Sequence, residues 1–381
     1  MIRSAFLGAL GSAAGATQVA QIQPFTATLR LAVVCPQSGE DRAFGQQLVA
    51  GVRAAVDYAN DQRSSFDRAL LVDTYDDHNT AADAMVQSQF ALGNPDTMAV
   101  IGHLSAGATL TALQNYANAQ IALVVPTVTD DRLTARGYRN VFRLPTKDSS
   151  EGNLLADYAV KTGAKAPHVV TQDADYGPSV AQAFVRRAGA LHLAAGSTTC
   201  SLDKPDFAKA AGDVLAASPD CVVFAGNVAD MGDLLPALRA RGYAGRFVGS
   251  QGFFDAQTVR QYAKAADEMV VSSNVPYYPM APTAQRYVTD YQARHGALTP
   301  VAAYGYAAVQ LIQLAQRRAN ATNRLTLVRA IGTGGPYDTI TGSYTFGPYG
   351  DAFDPNCYFY RIKDGKFAYE RQAHPSGFSL K

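Results

Sequence analysis

Six histidines, four cysteines and one adjacent acid pair are the residues that could carry catalytic or metal chemistry here. His78, His103, His168, His192, His295 and His374 are scattered, with no His-x-x-x-His spacing, and no cysteine pair has Cys-x-x-Cys spacing. No metal site is expected from that pattern. There is no G-x-S-x-G, no Walker A sequence, and no G-x-G-x-x-G after the first predicted strand, so a nucleophile elbow, a P-loop and a dinucleotide fingerprint are all missing. Asp76 and Asp77 end the second predicted strand. Neighbours on an extended segment point to opposite faces, so they read as solvated loop acids rather than as an acid–base pair. An enzyme would need a nucleophile–base pair or a metal. The sequence offers neither, and no cofactor is expected.

What stands out instead follows the strands. In open α/β sheets, ligands sit beyond the carboxyl ends of the strands. Those positions are rich in small, hydroxylic and aromatic residues: Ser38-Gly39 and Phe44-Gly45, then Ser105-Ala106-Gly107-Ala108-Thr109, then Pro126-Thr127-Val128-Thr129. The 105–109 segment opens a helix and leaves backbone N–H groups free, a natural seat for a carboxylate. Plain N-capping by Ser105 explains it equally well, and the two readings are compatible.

The elements that would position these residues alternate. Strands are expected at Leu29–Val34, Ala69–Thr74, Met98–Ile101 and Ile121–Val125, separated by helices over 45–60, 81–92 and 108–119. The unit then repeats: His168–Val170, a helix over 178–189, a strand near 194–199, a helix over 205–216, Cys221–Phe224, a helix over 230–241, and Arg246–Val248. Strands spaced by helices of 10–15 residues argue for parallel sheets with right-handed crossovers. Fully apolar strands such as Ile121–Val125 suit sheets covered on both faces. The expected fold is α/β, with two doubly wound lobes. Helices follow over 283–295 and 302–318. Then Gly342–Phe346 and Cys357–Ile362 alternate like strands, and Asp364-Gly365 marks a hairpin turn.

Composition excludes other classes. The 381 residues are 48% apolar and carry 33 basic against 32 acidic side chains, a formal charge of +1. That balance points to neither nucleic acid nor a membrane surface. The length suggests two domains. Met1-Ile2-Arg3 followed by an uncharged small-residue stretch to Thr17, with Ala14-Gly15-Ala16 as a cleavage signature, reads as an export signal over 1–20. The alternative is the tail of a cytoplasmic protein.

The stretch Leu29–Asn60 closely resembles the opening of the leucine/isoleucine/valine-type periplasmic solute-binding proteins of ABC transporters. Val100–Leu104, Pro126–Thr129, Asp173–Gly177, Asp230–Gly232, Val248–Gly252, Tyr306–Gln310 and Lys363–Phe367 match in family order across nearly the whole mature chain. The resemblance implies two lobes joined by three crossovers, near Phe142–Lys147, Ser272–Val275 and Asp338–Gly342, closing on a ligand like a hinged trap. Lobe 1 would comprise 28–144 and 275–339, and lobe 2 145–274 and 340–381. It further implies a periplasmic monomer that is no enzyme, binds an amino-acid-like or carboxylate ligand, and delivers it to an ABC-importer permease. A cytoplasmic amide-responsive sensor of the same fold is the alternative, and a hydrolase a more distant one.

The family site falls on Ser105 and Ala106 for the ligand carboxylate, the usual serine aligning with Ala106. Thr127, through its carbonyl, and Thr129, through its hydroxyl, fall where the α-amine is held. Phe44 forms a wall on the first lobe, and Tyr176 closes from the second. Asn227 and Tyr304 align loosely. The acid that partners the ammonium in relatives aligns with Gln251, a neutral amide. Charge-assisted bonds are roughly twice as strong as neutral ones. The expectation is therefore a small carboxylate or amide without an α-ammonium, unless another acid, such as Asp230 or Asp255, is near. Cys200 ends one strand and Cys221 begins the next, so a disulfide is open alongside two free thiols. Cys35 and Cys357 should lie in different lobes, unpaired.

Overall fold

Strand β1 (Thr28–Val34) shows why the chain folds as it does. Leu29, Leu31, Ala32, Val33 and Val34 are buried, as a strand covered on both faces requires. It lies inside a parallel sheet with β2 (Ala69–Tyr75), β3 (Thr97–Gly102), β4 (Ala122–Val125) and β5 (Val141–Arg143), in the order β2-β1-β3-β4-β5. Helices α1 (Arg42–Asp61), α2 (Ala81–Gly93), α3 (Ala106–Asn118) and the short α4 (Arg132–Ala135) connect these strands. The computed structural model describes residues 28–64, 67–173, 176–353, 355, 357–374 and 377–378. The expected leader over 1–20 lies outside the described residues.

After α5 (Asp148–Lys161) a second sheet forms from β6 (Pro167–Gln172), β7 (Gly196–Cys200), β8 (Cys221–Ala225), β9 (Arg246–Gly249) and β10 (Val270–Ser273). These strands are parallel to one another. Their helices are α6 (Tyr176–Ala190), α7 (Phe207–Ala216), α8 (Val228–Met231), α9 (Leu234–Ala240) and α10 (Ala256–Gln261). The chain then returns to the first core with α11 (Pro282–His295), α12 (Pro300–Ala319), α13 (Arg324–Thr333) and a small hairpin of β11 (Tyr337–Thr339) and β12 (Gly342–Tyr344). Antiparallel β13 (Cys357–Lys363), β14 (Lys366–His374) and β15 (Gly377–Phe378) complete the second sheet, ordered β15-β14-β13-β10-β9-β8-β6-β7. The α/β architecture of two doubly wound sheets is as expected. Asp364 and Gly365 both hold positive φ in the β13–β14 turn, the conformation a tight hairpin demands.

Small residues let α1 and α12 touch backbone to backbone. A Cβ on Gly51 would stand 1.9 Å from the carbonyl oxygen of Ala302. This crossing fastens the returning segment to the first sheet.

Three expectations need correction, and one open alternative closes. The helix over 230–241 is broken into α8 and α9, because Pro236 has no N–H and its ring would clash with the carbonyl four residues back, at Gly232. The crossover expected at Asp338–Gly342 lies later: Tyr337, Ile340, Tyr344 and Phe346 are buried in the first core, and Gly350 bonds to Arg143 of β5. Residues 340–352 therefore stay with the first sheet, and the chain crosses between Ala352 and Cys357. The Cys200–Cys221 disulfide does not form, and both thiols are free and buried. Cys200 is level with Gln172 and Cys221 with Pro167, on opposite sides and at opposite ends of β6, beyond the Cα separation of about 7 Å that a bridge tolerates. Finally, Asp77 is not solvated but wholly buried against His103.

Candidate ligand-binding site

The loops after β3 and β4 are built as one unit. Ser105 caps α3, its hydroxyl accepting from the Ala108 N–H at 3.4 Å, while its carbonyl accepts from the Thr109 N–H. A helix start leaves its first N–H groups without intrahelical partners. The Ser105 hydroxyl takes that of Ala108, and those of Ala106 and Gly107 have no hydrogen-bond partner among the described residues. Ser105 is thus a cap, and the groups left at this helix start that could meet an anion are backbone N–H. The Thr127 hydroxyl donates to the carbonyls of Leu104, at 2.7 Å, and His103, at 3.2 Å. It ties the two loops together and leaves its own carbonyl as the group that could meet a ligand.

Beneath this unit lies a feature the sequence reading missed. The ring of His103 hydrogen-bonds to Asp77 at 2.5 Å through Nδ1 and to the Tyr116 hydroxyl at 2.9 Å through Nε2. All three side chains have no exposed surface. A strand-end acid, a loop histidine and a helix tyrosine are unremarkable apart; only the crossovers bring them together.

Thr129 leads to the second sheet. Its carbonyl accepts from the Asp148 N–H at 3.0 Å, and its hydroxyl bonds the Asp148 carboxyl. Ser149 donates to Asp131 at 2.5 Å through its hydroxyl and at 3.0 Å through its N–H. The first turn of α5 is therefore docked onto the loop after β4. Burial, with Glu151, Asp131 and Asp130 nearby, pushes the Asp148 carboxyl up to about 7, although the Thr129 bond opposes this.

One turn further on, Glu151 gathers Tyr176 and Gln251, two of the residues expected from the second lobe. It is 2% exposed. Its carboxylate accepts from the Ser272 hydroxyl at 2.6 Å, the Gln251 N–H at 2.7 Å, the Tyr176 hydroxyl at 2.7 Å and the Gln251 side-chain amide at 3.2 Å. Burial raises its pKa, and these four donors oppose the rise. Burial, with Glu151 adjacent, also holds the Tyr176 hydroxyl well above the usual phenol range. Asn274 donates to the other end of the Gln251 amide, and its carbonyl accepts from the Tyr304 hydroxyl at 3.0 Å. Thr129, Tyr176, Gln251 and Tyr304 are thus linked through Asp148, Glu151 and Asn274.

Two expected residues stand apart from this chain of bonds. Phe44 is half exposed near the start of α1. Asn227 is exposed and caps α8, bonding to Gln172 and Asp230. The acids considered for Gln251 are engaged elsewhere: Asp230 accepts from Gln172, and Asp255 caps α10. The acid beside Gln251 is Glu151. Its sequence signal is weak, since acids in the first turn of a helix ordinarily face solvent and favour the helix dipole. Among the described residues, no group of His, Cys, Asp or Glu has the arrangement of a metal site.

Comparison with known proteins bears on the family and the fold. Residues 28–366 match the family model described as periplasmic binding protein. The chain is 25% identical over 362 residues to a Leu/Ile/Val-binding protein homolog of Brucella melitensis, covering 94% of this chain and 97% of the relative. The branched-chain amino acid substrate-binding protein of Streptococcus pneumoniae, solved with isoleucine, superposes with a TM-score of 0.77 at 23% identity, covering 91% of this chain and 100% of the other. A solute-binding protein of Rhodopseudomonas palustris, solved with 3,4-dihydroxybenzoic acid, superposes with a TM-score of 0.77 at 18% identity, covering 91% and 98%. The chain belongs to the periplasmic binding protein family.

Proposed function

We propose that this protein captures a small solute bearing a carboxylate between its two lobes, outside the cytoplasm, and delivers it to the permease of an ABC importer without chemical change. The observation that carries this reading is the pairing of a backbone anion seat at Ala106–Gly107 with the set of Thr129, Tyr176 and Gln251 across the first interlobe passage. The family match over 28–366 supports it. Closure of the lobes would desolvate the solute between these two halves. A monomer is sufficient, since both halves come from one chain.

The relatives divide on the ligand. One structural neighbour holds isoleucine and another a dihydroxybenzoate. The direct test is mass spectrometry of whatever is released when the purified protein is denatured, followed by calorimetric titration of that compound into ligand-free protein. Recovery of a small carboxylic acid that rebinds intact supports the reading. Turnover of the compound, or retention of the protein in the cytoplasm on cell fractionation, counts against it.

A further inference from the structure

The wholly buried ring of His103 is fastened at both nitrogens by residues of two other elements: Asp77 follows β2, and Tyr116 stands on the third turn of α3. One carboxylate oxygen of Asp77 accepts the Asn79 N–H at 3.0 Å, and the other meets His103 Nδ1 at 2.5 Å. No lysine or arginine pairs with Asp77 among the described residues. An ionised Asp77 only accepts, so Nδ1 carries a proton, and a neutral ring then accepts the Tyr116 hydroxyl proton at Nε2, 2.9 Å away. Apolar side chains would fill the same space without the desolvation cost of a buried acid. What they could not do is fix a direction. The clamped residue holds two things. Its own carbonyl and that of Leu104 accept from the Thr127 hydroxyl. Its bond to Tyr116 grips α3 about 15 Å along the axis from Ala106, while Ser105 caps the near end. Two fixed points on a helix set the line of its axis.

We propose that His103, clamped by Asp77 and Tyr116, is a positioning residue for carboxylate capture: it sets the aim of the Ala106 and Gly107 N–H groups and their distance from the Thr127 carbonyl. This rests on the solute-capture reading and deepens it, since none of the three side chains has surface with which to touch a ligand. Donors already aimed need no ordering when the ligand arrives, and a hydrogen bond weakens steeply as its angle bends. A carboxylate accepts more strongly than a neutral amide oxygen. Loss of aim therefore takes more from a carboxylate than from the matching carboxamide, and the clamp acts on selectivity as well as on affinity.

The test uses the full protein stripped of ligand by unfolding and refolding. Isoleucine, benzoate, 3,4-dihydroxybenzoate and any acid released on denaturation are titrated calorimetrically, each beside its carboxamide, into the parent, Tyr116→Phe, Thr127→Val and the double variant. Tyr116→Phe keeps the ring in the core and removes the bond to His103. It should weaken the carboxylate that binds the parent by roughly three- to tenfold, the scale of one neutral hydrogen bond, and its carboxamide by less. The double variant should lose less than the product of the two single losses, because both act through the same loop. A second readout needs no variant: the ring nitrogen resonances of His103 should move on saturation of the parent together with the Ala106 and Gly107 amides, and it decides should Tyr116→Phe fail to fold. A lower melting temperature in Tyr116→Phe with unchanged affinity and unchanged carboxylate preference overturns the inference, as do ring resonances that stay still, and both outcomes leave solute capture standing. If no acid binds the parent and denaturation releases none, the capture reading falls and the inference falls with it.

Discussion

Asp148 titrates near 7 because folding removes it from water beside other acids. The sign of its effect follows from linkage. Between the unfolded value near 4 and about 7, the folded state holds a proton that the unfolded state has lost, so this group makes stability fall as pH rises through that window. A carboxyl raised from its ordinary value to about 7 corresponds to roughly 4 kcal/mol. Asp148→Asn should therefore raise the melting temperature at pH 8 and flatten its dependence between pH 5 and 8, in unliganded protein followed by calorimetry. A variant whose pH profile matches the parent's would show that Asp148 is not the group responsible. At the same scale, Tyr176→Phe removes one of four donors to Glu151. A lost bond to a charged group is worth about 1.5–3 kcal/mol, so ligand affinity should fall roughly tenfold in a titration, with the fold kept. Loops after strands drew attention to Thr127 and Thr129 in the sequence, and the family resemblance to Tyr176. Glu151 and Asp77 were hidden because acids near helix starts and strand ends are ordinarily solvated, and only tertiary packing buries these two.

The strands and helices were legible where hydrophobic patterning was strong and obscure where elements were short. β5 spans three residues and β10 four, too few for a period to show, yet both carry the chain toward a crossover. β5 also carries Arg143, 1% exposed, which donates to Asp351, to the carbonyls of Val128 and Asp130, and to the Thr134 hydroxyl. That single fork pins the loop after β4, the helix α4 and the returning segment around Asp351 to one strand. Lysine cannot reproduce a planar fork of donors. Arg143→Lys should lower stability by about 1–3 kcal/mol, the cost of leaving buried acceptors without their donors, measured by urea unfolding at neutral pH. The glycine beside Asp351 is equally constrained: Gly350 has φ +85°, and a Cβ there would stand 1.6 Å from the Val141 carbonyl oxygen. This clasp was not legible beforehand, because Arg143 and Asp351 are 208 residues apart. Placing the third crossover too early follows directly from not seeing it.

At the scale of the molecule, the chain crosses between its two cores three times, after Leu144, after Ser273 and after Ala352, so a turn about these passages, if made, would unfold neither core. The first passage carries half of the candidate site, since the docked turn of α5 holds Thr129 on one side and Tyr176 and Gln251 on the other. A ligand bridging these groups would bind the closed arrangement better than the open one, and it can shift the population only by that difference. Two measurements should then move together. The radius of gyration from small-angle scattering should fall on saturation with ligand. The melting temperature should rise, because ligand at a hundred times its Kd adds about 2.7 kcal/mol to the folded state. For a chain of this size that is about 3 °C, at roughly 1.2 °C per kcal/mol. Asp131→Ala, which frees Ser149 from the loop after β4, loosens the passage without touching a proposed ligand contact. It should weaken affinity while leaving the ligand-bound radius unchanged. Stabilisation by ligand with no change in radius, in parent and variant alike, would mean that the two lobes are already set at their binding angle and that α5 is a fixed wall rather than part of a hinge.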